Sequence, residues 1–150
     1  MKAVIQRVSK ASVSCKSGHK DKIGTGLLVL LGIEEADTDD DINWLSSKIS
    51  RLRIFPDEND IMSKDIIEIG GELLIISQFT LHASTRKGNR PSYIKSAKPE
   101  FSIPLYERFL KKIGNDSGLI VKHGVFGDHM DVSLVNNGPV TIIIDTKNKE

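Results

Sequence analysis

The chain has 150 residues, 21 basic against 20 acidic side chains, a formal net charge of +1 and one cysteine. That length fits a single domain, 1–150, and the 39% hydrophobic and 27% charged content is that of a soluble globular protein. Cys15 alone excludes an internal disulfide framework and a Cys-rich zinc site and fits a reducing compartment, no apolar run nears the ~20 residues of a membrane span, and the opening residues lack a signal-peptide core, so the expected location is cytoplasmic.

Residues 2–15 read as an extended segment, with Val4, Val8 and Val13 among small polar residues. Gly24-Thr25-Gly26 interrupts the chain, and Leu27 to Ile33 is a short apolar run of the kind a strand covered on both faces requires. Thr38 can cap a helix through about Leu52, with Ile42, Leu45, Ile49 and Leu52 on one stripe and acids in its first turn. A turn follows at Pro56 to Asp60. Glu72 to His82 is the longest strand candidate. Pro104 to Ile113 reads as a second helix, with Gly114 as its stop. Strand candidates 118–123, 131–136 and 140–146 close the chain. The expected fold is mixed α/β, with two packed β-sheets and helices covering one face, a three-layer α/β/β arrangement.

Charge is unevenly spread. Glu34 to Asp41 holds six acids and no base, and Leu73 to Pro99 holds no acid and five bases, Arg86, Lys87, Arg90, Lys95 and Lys98. Each run is either a solvated face or, for the basic one, a small phosphate-binding patch on a nearly neutral body. The four histidines and Cys15 show no metal-ligand spacing, so neither a metal nor another cofactor is expected. No phosphate-cradling Gly-rich loop and no Gly-x-Ser-x-Gly elbow occurs.

Two stretches carry more information. If Leu73 to His82 alternates as one strand, Leu73, Ile75, Ser77, Phe79 and Leu81 share a face, and Leu74, Ile76, Gln78, Thr80 and His82 share the other. The second face turns polar beside the basic run, which suits either the edge of a site or a strand emerging into solvent. Asn136-Asn137-Gly138-Pro139 reads as a hairpin turn between two strands, or as a rigid carbonyl surface if the Gly-Pro bond is cis.

Ser77-Gln78-Phe79-Thr80-Leu81 together with Asn136-Asn137-Gly138-Pro139-Val140-Thr141 resembles the two signature motifs of the D-aminoacyl-tRNA deacylases, also called D-tyrosyl-tRNA deacylases. The resemblance extends to Met1–Val8, Gly26–Ile33, Leu52–Phe55, Arg86–Ser92 and Phe126-Gly127. It implies an enzyme that hydrolyses the ester of D-aminoacyl-tRNA, and of glycyl-tRNA, while refusing the L-aminoacyl ester. It implies a homodimer with the site near the subunit interface. Ser77, Gln78, Phe79 and Thr80 would line the pocket around the 3′-terminal aminoacylated adenosine. Asn137, Gly138 and Pro139 would select chirality from the partner subunit, with Gly138-Pro139 cis. Rigid main-chain carbonyls can read an α-carbon without reading the side chain.

Backbone N–H groups near Phe79 and Thr80 are the candidates for stabilising the oxyanion. Thr80 as nucleophile would need a base, and His82 lies on the same expected face. The family commonly has tyrosine there, and suggests help from the ribose hydroxyl of the RNA instead. Arg86, Lys87 and Arg90 would position the acceptor backbone. Tyr93 is the one aromatic of the basic stretch, too few for stacking readout of bases. The chain departs from the family at Asp128-His129 and at Asn137, where aspartate is frequent. The alternative function is a non-catalytic module that binds the tRNA end.

Overall fold

The computed structural model describes residues 1–150. Its strands are β1 (Lys2–Cys15), β2 (Lys20–Ile23), β3 (Gly26–Gly32), β4 (Phe55–Pro56), β5 (Met62–Lys64), β6 (Glu72–Ser77), β7 (Val121–His123) and β8 (Met130–Asp145). Helix α1 spans Asp39–Ser50, a 3-10 turn spans Phe79–His82, and helix α2 spans Pro99–Ser117. Six strands form one mixed sheet in the order β2-β1-β3-β6-β7, with β8 on the other edge of β1, while β4 and β5 make a separate two-stranded ribbon. β3 pairs with β6, and β6 with β7, in parallel; β1 is antiparallel to β2, β3 and β8.

Alternation along β3 and β6 supplies two cores. Leu27, Val29, Leu31, Leu73 and Ile75 face the helices and meet Ile42, Leu45 and Ile49 of α1 and Leu105, Phe109 and Ile113 of α2. Leu28, Leu74 and Ile76 face the other way and meet Val8, Ala11, Val13, Cys15 and Ile23. β1 belongs to both cores. Ala3 and Ile5 point to the helices, whereas Val8, Ala11, Val13 and Cys15 join the second core, and the switch coincides with register shifts at Gln6/Val8 and Val8/Lys10. The expected two packed β layers are present, Val8, Ala11, Val13, Cys15 and Ile23 lying over Leu28, Leu74 and Ile76, within one hydrogen-bonded sheet that rolls over itself. β2 and β3 follow one another along the edge of β1 opposite β8, and Lys122 Nζ of β7 donates to Lys22 O of β2 at 2.7 Å.

Several element boundaries differ from the sequence reading. The Glu72 strand stops at Ser77, because the chain turns into the 3-10 segment, so β1 and β8 are the long strands. α2 starts at Pro99, carries Pro104 inside, passes through Gly114 and ends at Gly118, which is left-handed at φ 66°. Pro104 is tolerated because it lies near the helix start and deprives only the exposed Glu100 carbonyl of a partner. Strand β7 covers only the end of the 118–123 candidate. The 131–136 and 140–146 candidates are a single strand, so Asn136–Pro139 makes no hairpin turn. The acidic run is also not merely solvated. Asp37 is buried against the N-terminal ammonium of Met1, which also donates to Thr146 Oγ1 at 2.7 Å. Asp41 is buried too, closing a capping box with Thr38 (N–H to Oδ2, 2.8 Å) and pairing with Lys147 Nζ at 2.8 Å.

Burial pushes the Asp41 carboxyl up, but the bonds from Lys147, Thr146 and Thr38 and the nearby N-terminal charge outweigh it and hold its pKa far below the usual range. A depressed carboxylate contributes stability that is complete above the ordinary Asp pKa of about 3.9 and is lost as the pH falls below it. Thermal unfolding between pH 7 and pH 3 should therefore show a falling Tm at the acid end. Asp41→Asn should lower Tm at pH 7 and flatten the acid decline; a variant with the parent's full acid slope would remove Asp41 from that linkage.

Candidate active site

β3 and β6 run parallel and end together, Leu31 opposite Ser77. Side chains and amides released at the carboxyl ends of parallel strands open into a crevice. Here that crevice is a cavity of about 480 Å³ lined by Leu31, Ile33, Ile76, Ser77, Gln78, Phe79, Ala97, Pro99, Ser102, Phe126, Gly127, Asp128, His129, Met130 and Val132. Three of the four residues expected at the pocket, Ser77, Gln78 and Phe79, line it, and Thr80 is the next residue of the same turn.

The turn itself explains the rest. After Ser77 the Gln78 N–H donates to Leu31 O at 2.8 Å, and the chain then coils, with Leu81 N on Gln78 O and Ala83 N on Thr80 O. Phe79 and Thr80 are the first two residues of the coil, and N–H groups there have no acceptor within the turn. Coiling also breaks the expected period-two face. Gln78 Nε2 donates to Thr80 Oγ1, but His82 is turned inward, 2% exposed, with no partner at Nε2. His82 is therefore not on a common polar face with Thr80, and it packs over Gly32. A Cβ on Gly32 would stand 3.0 Å from Gln78 O, 3.0 Å from Leu81 Cβ and 3.1 Å from His82 Cδ2. The missing side chain lets the turn seat on the end of β3.

Asn137, Gly138 and Pro139 are exposed and form the second group. Gln6 pairs with Thr141 and Val8 with Asn136, so one residue of β1 faces four residues, Asn137 to Val140, that β8 throws out as a bulge. Asn136 staples the bulge, its Oδ1 accepting Val140 N–H and its Nδ2 donating to Thr141 Oγ1, both at 3.0 Å. Arg7 clamps it from beneath, Nε donating to Asn137 O at 3.0 Å and Nη1 to Ile54 O at 2.7 Å. Gly138 has φ 131°, and a Cβ there would lie 2.9 Å from Arg7 Nη2 and from Val140 Cγ2. The Gly138-Pro139 peptide is cis.

Within one chain the two groups do not meet. Val8, opposite Asn136, pairs with Gly26 at the start of β3, whereas the cavity opens at Leu31 at its end. Five strand residues put them roughly 16 Å apart along the sheet. Arg86, Lys87 and Arg90 are exposed on the loop that leaves the 3-10 turn, which a mutual pair of N–H to O bonds between Ser84 and Ser92 closes.

Sequence reasoning missed the far wall of the cavity: Ala97, Pro99 and Ser102 from the start of α2, and Met130 and Val132 from β8. Phe126 and Gly127 were noted only as part of a matching motif. Ser102 is a buried polar side chain on the face of α2 that carries Leu105, Tyr106, Phe109 and Ile113, and its burial is not readable without the fold. Asp128 and His129 sit on the rim, where Asp128 Oδ2 accepts Ser17 N–H at 2.9 Å.

The model of the family described as D-Tyr-tRNA(Tyr) deacylase matches residues 4–145. The chain is 60% identical to a D-aminoacyl-tRNA deacylase of Bacteroides thetaiotaomicron and 54% identical to one of Flavobacterium johnsoniae, each over the full length of both chains. Among solved structures it superposes on one described as c-Myc DNA Unwinding Element Binding Protein with a TM-score of 0.91 at 38% identity, covering 97% of this chain and 99% of that one. A structure described as a probable eukaryotic D-amino acid tRNA deacylase matches with a TM-score of 0.82 at 15% identity, over 95% and 97% of the two chains, and shares the fold.

Gly32→Ala tests how the cavity turn is seated. The three contacts near 3 Å require the turn to move by a few tenths of an ångström. Amide NMR signals of residues 78–83 should shift, and urea unfolding should show a loss of about 1–3 kcal/mol. Unmoved signals would show that the turn does not rest on Gly32.

Proposed function

The chain belongs to the D-Tyr-tRNA(Tyr) deacylase family, and from that premise we propose how it hydrolyses D-aminoacyl-tRNA with one domain, residues 1–150. The observation that carries the reading is the apolar cavity at the ends of β3 and β6 with the Ser77–Thr80 turn on its wall. The terminal adenosine enters this cavity, and its aminoacyl ester lies against the turn. Water adds to the ester carbonyl. The oxygen takes up negative charge and is stabilised by the N–H groups of Phe79 and Thr80, which need no reorganisation. The C–O bond to the ribose then breaks, the ribose oxygen takes a proton, and free D-amino acid and tRNA leave.

Thr80 does not serve as nucleophile. Its Oγ1 receives a hydrogen bond from Gln78 Nε2, and the nearest histidine in sequence, His82, is buried facing away. An aminoacyl ester is activated, and the neighbouring ribose hydroxyl of the RNA orients the water.

Chirality is read by Asn137, Gly138 and Pro139 of a second copy. The bulge is exposed and distant from the cavity of its own chain, so it is available to another one. The outer edge of β8 is unpaired and carries exposed Leu134, Val135 and Ile143, an apolar surface suited to a symmetric partner. Main-chain carbonyls of the bulge, which Arg7 and Asn136 hold in place, receive the α-amino group and leave no room for an L side chain. Glycyl-tRNA has no side chain to exclude and is cleaved as well. The protein acts in the cytoplasm, with Arg86, Lys87 and Arg90 on the acceptor phosphates.

Ester loss from D-tyrosyl-, L-tyrosyl- and glycyl-tRNA tests this directly. The D and glycyl esters should disappear and the L ester persist; equal loss of D and L would overturn the chiral filter, and tRNA binding with no ester loss would point to a binding module. Gly138→Ala should narrow the D-over-L ratio, because its Cβ meets Arg7 and Val140; an unchanged ratio would remove the bulge from recognition. Lys87→Ala with Arg90→Ala should weaken tRNA binding and reduce the salt slope by about one to two; an unaltered slope would take the loop off the RNA.

A further inference from the structure

Phe79 is 53% exposed and Tyr93 40% exposed, and their rings meet edge to face with centroids 5.0 Å apart. Ile94 beside them is 92% exposed. The turn that presents Tyr93 is firmly tied. Ser84 and Ser92 exchange N–H to O bonds of 2.8 and 2.9 Å, Ser96 N–H donates to Tyr93 O at 3.0 Å, and Ala97 N–H donates to Ile33 O at 3.0 Å. Ser96 Oγ donates to Phe79 O at 2.9 Å, which joins this turn directly to the wall of the cavity. Tyr93 is therefore fixed relative to the cavity mouth. Arg86, Lys87, Arg90, Lys95 and Lys98 surround it in sequence, and none has a carboxylate within ion-pairing distance.

We propose that Tyr93, in edge-to-face contact with Phe79 and flanked by Ile94, is a stacking platform for the unpaired base that precedes the terminal adenosine of the tRNA. This rests on the terminal adenosine occupying the cavity, as above. An exposed aromatic ring with unpaired cations before and after it in the chain fits a planar base carried on a phosphodiester chain. Stacking is tolerant of base identity, so the platform fixes how far the RNA end enters without reading sequence. Tyr93 alone is too little for this. The fold adds Phe79, fourteen positions earlier, and the serine bonds that hold the pair still. Tyr93 is a positioning residue, since it touches the strand upstream of the reacting ester.

The test compares equilibrium binding of adenosine and of the deacylated trinucleotide CCA to the full-length protein, in the parent, Tyr93→Ala and Tyr93→Phe. The parent should bind CCA more tightly than adenosine. Tyr93→Ala should weaken CCA binding by about 5- to 150-fold, the range of one lost base stack, and leave adenosine binding within about twofold. Tyr93→Phe keeps the ring and should retain the CCA preference. Three results would each overturn the platform: a parent that binds CCA no better than adenosine, a Tyr93→Ala protein that keeps its preference, or equal weakening of both ligands. A change of sedimentation in Tyr93→Ala without loss of CCA binding would assign the patch to contact between copies and also overturn it. Hydrolysis of D-tyrosyl-tRNA by the parent is scored separately. Failure there would sink the deacylase mechanism, whereas its success with no Tyr93 effect on CCA would sink the platform alone.

Discussion

The unequal pairing of β1 with β8 is the constraint on which the molecule depends. Between Gln6 and Val8 the first strand advances by two residues while the last retreats by five. That mismatch, with the second shift between Val8 and Lys10, lets one strand serve the helix-side core with Ala3 and Ile5 and the second core with Val8, Ala11, Val13 and Cys15. It also expels Asn137–Val140 from the ladder, where Arg7 and Asn136 fix them. The same irregularity thus makes the sheet roll and exposes its proposed chiral reader. A ladder in perfect register would have neither feature.

The cavity has the opposite origin, in regularity. β3 and β6 pair in parallel without a slip from Gly26 to Leu31, so their ends are flush and the turn after Ser77 has a defined floor. Glycine at 26 permits the start of that pairing, because a Cβ there would fall 1.8 Å from Glu72 O. Glycine at 32 permits its end.

Sequence reading reached what is local or strongly periodic. The apolar run at Leu27–Ile33, the Thr38 cap with its stripe and the extended start all follow from spacing within one element. It failed where a distant contact overrides the local signal. Ser77 to His82 alternates plausibly as a strand, yet the turn forms because Gly32 leaves room for it and Leu31 O takes the Gln78 amide. Asn-Asn-Gly-Pro has the composition of a hairpin turn, but β1 pairs on both sides of it and turns it into a bulge. Asp37 and Asp41 lie in a run that reads as solvated surface, and their burial depends on Met1, Thr146 and Lys147 from the ends of the chain. The separation of the two motif stretches within one protomer is a property of register that no local spacing reveals; only the family resemblance implies that they act from different subunits.

The rolled sheet also sets the order in which the chain can fold. Lys2 pairs with Asp145 and Cys15 with Met130, so the longest ladder joins segments more than a hundred residues apart. Closing so large a loop is entropically costly, and contacts of this separation place a domain among the slower folders. Until residues 130–145 have been synthesised, β1 has an open edge and Val8, Val13 and Cys15 lack the Met130 and Val132 that help cover them. During synthesis the nascent chain therefore presents an unpaired, partly apolar strand edge for most of its length, the kind of surface that aggregates or recruits a chaperone.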